Sequence, residues 1–186
     1  MKRLLLLALC LCALPLFAQQ SSYDQRRIPQ PYVKALLDIA SLKQSQEQAK
    51  AGGYELSAED QARLESALHA VKGLTVVEIG YPSCGPCKAL LASLEEPDAS
   101  GTSLLSQWQN AGVSFYQIHW LRARRATAGA ELLERQALEL WGGVSSSPVL
   151  LFIKDGEEVA RLNGFNMSRQ QEKLTEIKNM ATQFCR

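Results

Sequence analysis

Cys84-Gly85-Pro86-Cys87 is the one constellation in the chain with plain chemical content. A thiolate is both a nucleophile toward sulfur and a ligand for soft ions. Two thiols at this spacing therefore admit two chemistries, disulfide exchange or capture of a metal such as copper(I). Structural zinc normally takes four ligands, and the only histidines, His69 and His119, come with no second cysteine pair. Of the five cysteines, Cys10 and Cys12 fall in an apolar run at the start of the chain. Cys185 stands one residue from the C-terminus, where it is either a spectator or the foot of an intermolecular bridge. Three cysteines beyond the apolar run do not make a disulfide scaffold.

That apolar run changes the setting in which the thiols are read. Lys2 and Arg3 precede Leu4 to Phe17, and Ala18 stands before the polar Gln19-Gln20, the layout of a secretory signal peptide over residues 1–18. The run is shorter than the roughly 20 residues a spanning helix needs, so cleavage and export are expected, to the periplasm or beyond the cell. Composition narrows the rest. The 186 residues, 46% hydrophobic and 21% charged, suit a folded domain and not a disordered or multi-span chain. A net charge of +1 gives no electrostatic footprint for nucleic acid.

The elements that must hold the cysteines follow from periodicity. Residues 19–30, polar and bounded by Pro29 and Pro31, read as a loose lead-in. Val33, Leu36, Leu37 and Ala40 form a helical stripe that fades toward Lys50 and stops at Gly52-Gly53. Ser57 with Asp60 reads as a cap for a second helix through Leu64, Ala67, Leu68 and Val71. Leu74 to Ile79 is a β-branched run of strand length, broken by Gly80 to Ser83. A helix through Lys88 to Leu94 ends near Pro97. Val113 to Trp120 reads as a strand and Ala126 to Trp141 as a helix closed by Gly142-Gly143. Val149 to Ile153 is the strongest strand signal, Asp155-Gly156 a hairpin turn into Glu158 to Leu162, and Ser168 with Gln171 caps a last helix through Met180. This order argues an α/β fold with a mixed central sheet flanked by helices.

With these elements in place the chain resembles the thioredoxin family. The resemblance rests on Val76 to Ile79 leading into Cys84-Gly85-Pro86-Cys87-Lys88, and on Ser147-Pro148 before Val149-Leu150-Leu151-Phe152 with Asp155-Gly156-Glu157. It covers residues 73–186 as a thioredoxin-like domain and leaves residues 19–72 as a helical N-terminal extension. Three features depart from the family's habit. Gly80 and Ser83 stand where aromatic residues are common before the first cysteine. Ser147 stands where Thr, Ile or Val is usual, and the stretch from Leu121 to Gly143, with Arg122, Arg124 and Arg125, is long.

The resemblance implies a thiol–disulfide oxidoreductase with no cofactor beyond a redox-active Cys84–Cys87 disulfide. Cys84, at a helix start, gains from unpaired N–H groups and the positive end of the helix dipole, which favour its thiolate; Cys87, one turn further in, resolves. Pro86 suits the first helical turn, where an N–H has no partner to lose. Glu78, inside an apolar strand, is expected to be a buried acid that exchanges protons with Cys87. Pro148 is expected to be cis, setting the Ser147 backbone beside the dithiol, where Ser147, Gly85 and Pro86 would meet an extended protein substrate. His119 and Trp120 read as structural, His69 as surface, and the three arginines as a solvated face. The implied partners are proteins carrying thiols or disulfides and a membrane or periplasmic carrier that restores the dithiol. A thioredoxin-fold module whose cysteine pair binds copper is the alternative.

Overall fold

The computed structural model describes residues 21–184. The leader expected at residues 1–18, and Cys185, lie outside them. Among the described residues, four strands form one sheet in the order β2-β1-β3-β4. They are β1 (Leu74–Gly80), β2 (Ser114–His119), β3 (Val149–Lys154) and β4 (Glu157–Asn163). β1 runs parallel to β2 and antiparallel to β3, and β3 runs antiparallel to β4. Every residue of β1 is buried, because helices cover both faces, and that is why its sequence is nearly continuous in apolar residues. This is the mixed sheet flanked by helices that the resemblance implies, a thioredoxin-like fold.

Alternation along the strands sorts the core into two layers. Val77, Ile79, Ile118, Leu151 and Ile153 point to one face. There they meet α2 (Gln30–Ala51), α3 (Ala58–Ala70), the short α6 (Trp120–Ala123) and α7 (Gly129–Leu140) through Val33, Leu36, Ile39, Ala67, Ala123, Ala137 and Leu138. Leu74, Val76, Leu150 and Phe152 point to the other, against α4 (Gly85–Glu95), α5 (Leu104–Asn110) and α8 (Gln170–Phe184), through Leu90, Leu94, Leu104, Trp108 and Ile177. Glu78 has the parity of Leu74 and Val76, so it faces α4. The helices of residues 30–70 thus supply a large part of one core layer. The stripe of α2 runs through Val33, Leu36, Ile39 and Leu42; Leu37 and Ala40, expected on it, are half-buried.

Local signals explain the ends. Ser57 accepts the Asp60 N–H at 3.1 Å, as the cap pattern predicts. Asp155 and Gly156 have φ of 50° and 86°, the left-handed pair a tight hairpin requires, and Asp155 Oδ1 accepts the Gly73 N–H at 2.8 Å. Three expectations need correction. Residues 21–28 are not a loose lead-in: they form the short helix α1 (Ser22–Gln25) with Tyr23 buried, and Arg27 bridges to Gln117 at the edge of β2. α5 fills a stretch left unassigned, opened by Ser103, which accepts the Ser106 N–H. The final helix is preceded by a 3-10 turn, Met167–Arg169, capped by Asn166 and not by Ser168, since the side-chain Oδ1 of Asn166 accepts the Ser168 N–H at 3.0 Å.

Candidate functional site

Cys84 caps α4, and Gly85 and Pro86 form the helix's first turn. The chain enters that turn from β1 through Gly80 to Ser83. Cys84 and Cys87 are joined as a disulfide with Cα atoms 5.2 Å apart. The two sulfurs face different surroundings. Cys84 Sγ accepts the Cys87 N–H at 3.2 Å and the Ser147 hydroxyl at 3.7 Å, two donors that would hold a thiolate once the bond is reduced. Cys87 Sγ is turned inward to the end of β1, 2.8 Å from where a Cβ on Gly80 would lie.

Glu78 stands behind Cys87. It is 1% exposed, and burial raises its pKa from 4.5 to about 7 against two hydrogen bonds that act the other way. Those bonds come from the Tyr23 hydroxyl to Oε1 and from Gln117 Nε2 to Oε2, each at 2.9 Å. An isolated carboxylate in such a place is costly, and the two donors make the charged form tolerable. A group that titrates near neutrality can accept a proton and return it. Burial and the neighbouring carboxylate raise the Tyr23 pKa above its ordinary value, so Tyr23 remains a donor.

On the opposite side of the disulfide the Ser147–Pro148 peptide bond is cis, as expected. Pro148 is buried at the head of β3, and its carbonyl accepts the Gly164 N–H at 2.8 Å. That bond ties the loop after β4 to the proline. Pro86, Ser147, Asn163, Gly164, Phe165 and Lys173 then line a groove of about 310 Å³. Ser147 belongs both to this groove and to the contact with Cys84, which is itself buried.

The structure thus brings Cys84, Cys87, Glu78, Pro86, Ser147 and Pro148 to one end of the sheet. Gly85 is exposed in the same turn. His69 is exposed on α3. His119 is nearer the site than a purely structural reading implies. Its ring packs edge-on against Tyr23 with centroids 5.7 Å apart, and its Nδ1 accepts the Arg122 N–H; burial and the Arg122 charge lower its pKa. Of the three arginines, Arg124 and Arg125 are exposed and Arg122 is half-buried. Arg122 binds Asp24 at 2.7 Å, while Arg124 lies over the ring of Trp120, which itself neighbours Tyr81. Tyr23, Gln117 and the groove wall running from Asn163 at the end of β4 to Lys173 on α8 were missed. Gln117, a polar residue within the otherwise apolar Phe115 to Ile118, was the one visible signal. Among the described residues no group of three or more His, Cys, Asp or Glu could hold a metal, and no helix is long and apolar enough to cross a membrane.

No family model matches the sequence. Among solved structures, a poplar thioredoxin h is similar at 21% identity, covering 65% of this chain and 90% of its own, with a TM-score of 0.38. A Fasciola hepatica thioredoxin is 24% identical over 62% and 92%, TM-score 0.37. A Schistosoma mansoni thioredoxin pre-protein is 21% identical over 65% and 89%, TM-score 0.39. The topology of the chain itself, with a cysteine pair at the start of α4 and a cis-proline facing it, supports a thiol–disulfide oxidoreductase.

Proposed function

We propose that the protein is an exported thiol–disulfide oxidoreductase that exchanges its Cys84–Cys87 couple with protein substrates, as a reductant or isomerase. The observation that carries this reading is the two-sidedness of the disulfide: Cys84 Sγ accepts the hydroxyl of Ser147, which lines an open groove, and Cys87 Sγ faces a buried acid. In the reduced protein the Cys84 thiolate attacks a substrate disulfide. A Cys84–substrate bond forms, the substrate's own S–S bond breaks, and its distal sulfur leaves as a thiolate. Glu78 then takes the proton of Cys87, and the electron pair left on that sulfur forms the bond to Cys84. The second substrate sulfur leaves, so two electrons have passed to the substrate and the Cys84–Cys87 disulfide is restored. An extended substrate strand is held along Ser147 and Pro86.

The direction of electron flow follows from the dipeptide. Gly85-Pro86 is the pair that thioredoxin carries, and thioredoxin's potential is about −270 mV against about −120 mV for the strong oxidant DsbA. A couple nearer the former gives electrons away and needs a carrier to refill it. The export signal at residues 1–18 makes a membrane-bound donor of electrons the fitting class of partner. The test is the potential of the couple, measured against glutathione, together with a Cys87→Ala variant. That variant is expected to accumulate mixed disulfides on Cys84 with proteins that already carry disulfides. A potential near the strong-oxidant value, with trapped partners that are newly exported reduced chains, would overturn the reductant reading.

A further inference from the structure

Three side-chain atoms crowd the space left empty by Gly80. A Cβ there would collide with Glu78 Oε1 and with the Tyr23 hydroxyl, and would sit 2.8 Å from Cys87 Sγ. The φ of Gly80 lies outside the left-handed region, so what the glycine supplies is room. The carboxylate oxygen that Tyr23 holds is therefore the one turned toward the resolving cysteine, while Gln117 holds the other.

Tyr23 reaches this place from outside the part of the chain that resembles thioredoxin. Its segment is stitched to the domain on both sides. The Gln117 N–H donates to the Arg26 carbonyl at 2.7 Å, and the Ile28 N–H donates to the Gln117 carbonyl at 3.3 Å. Asp24 pairs with Arg122, Arg26 with Glu95 and Arg27 with the buried Glu134. Tyr23 itself is buried. Resting on the reading of Glu78 as the proton acceptor for Cys87, we propose that Tyr23 is a positioning residue of the dithiol site, its hydroxyl holding Glu78 Oε1 against Cys87. The segment 21–28 thereby completes a proton-transfer group that the sheet and α4 supply only in part.

The groups facing Glu78 are the Tyr23 hydroxyl from α1, the Cys87 sulfur from α4 and the Gln117 amide from β2; across β3 it is paired with Leu150. His119, from β2, and the Asp24–Arg122 pair reach it only through Tyr23 and its segment. A donor to a carboxylate favours the charged form, so removing the hydroxyl should raise the proton affinity of Glu78. Tyr23→Phe keeps the ring and tests this. Carbon NMR of the Glu78 carboxyl in the oxidised full-length chain is expected to show the titration midpoint rising by about one pH unit. The pH profile of kcat in the exchange reaction should move the same way with KM little changed, and Tyr23→Phe should add nothing to a Glu78→Gln chain. An unmoved midpoint in Tyr23→Phe, with Glu78→Gln still flattening the profile, would overturn the role of Tyr23 alone. A Glu78→Gln profile identical to wild type would overturn both this and the reading of Glu78. Because the NMR titration needs no turnover, it decides the proposal even if the chain exchanges no disulfides.

Discussion

A carboxyl group sealed inside an apolar strand makes folding depend on pH in a direction opposite to that of a salt-bridged acid. Between 4.5 and about 7 folded Glu78 keeps a proton that the unfolded chain has lost. Stability is therefore full below the lower value and falls as pH rises through the upper one, by about 3 kcal/mol in all. Urea unfolding of the oxidised protein at pH 5 and pH 8 should show that loss, and Glu78→Gln should abolish it. Cys84 offers a second residue-level prediction. Its sulfur has the Cys87 N–H and the Ser147 hydroxyl as donors, so in the reduced protein its alkylation should titrate below about 8.5, the free-thiol value, and Cys87 should react far more slowly. Ser147→Ala should move the Cys84 midpoint upward. Glu78 was legible in the sequence because a charge within an apolar run must be explained. Tyr23 was not, since nothing local links it to a partner 55 residues away.

The helices of residues 30–70, which the sequence leaves as an extension either packed on the domain or offered to a partner, pack on the sheet as one wall of the core. Leu36, 1% exposed, belongs to the same cluster as Val77, Ile79 and Leu151. Leu36→Ala should cost about 2–5 kcal/mol, and urea transitions followed by tryptophan fluorescence and by circular dichroism should stay coincident, as for one cooperative unit. Two separate transitions would show a detachable extension. Elements with strong periodicity or clear stops were legible: α2 by Gly52-Gly53, α3 by Ser57 and Asp60, β3 by its unbroken apolar run. α5 was not, because seven residues hold only Leu104 and Trp108 as buried positions, too few to set a helical stripe apart from a loop. α1 escaped for a related reason. One turn bearing a single buried side chain takes its form from the surface it packs on, and that surface is assembled from residues far along the chain.

At the scale of the molecule the sheet has two edges, and they are guarded differently. β4 lies at one edge and is broken by a register shift at Phe152/Ile153 in its pairing with β3; it carries Glu157, Glu158 and Arg161, charges that discourage pairing with another sheet. β2 lies at the other and is richer in aromatic and apolar residues, Phe115, Tyr116 and Ile118. Its free side is met at Gln117 by the backbone of residues 26–28. The segment that brings Tyr23 to the acid thus also pairs the N–H and C=O of Gln117 in the middle of that edge. A chain shortened past Ile28 should consequently self-associate through β2, seen as a concentration-dependent mass in sedimentation, besides losing the tyrosine. Dilution should reverse the association and leave the altered proton chemistry in place, so solubility and chemistry, though anchored by one short stretch of backbone, can be taken apart in the same tube.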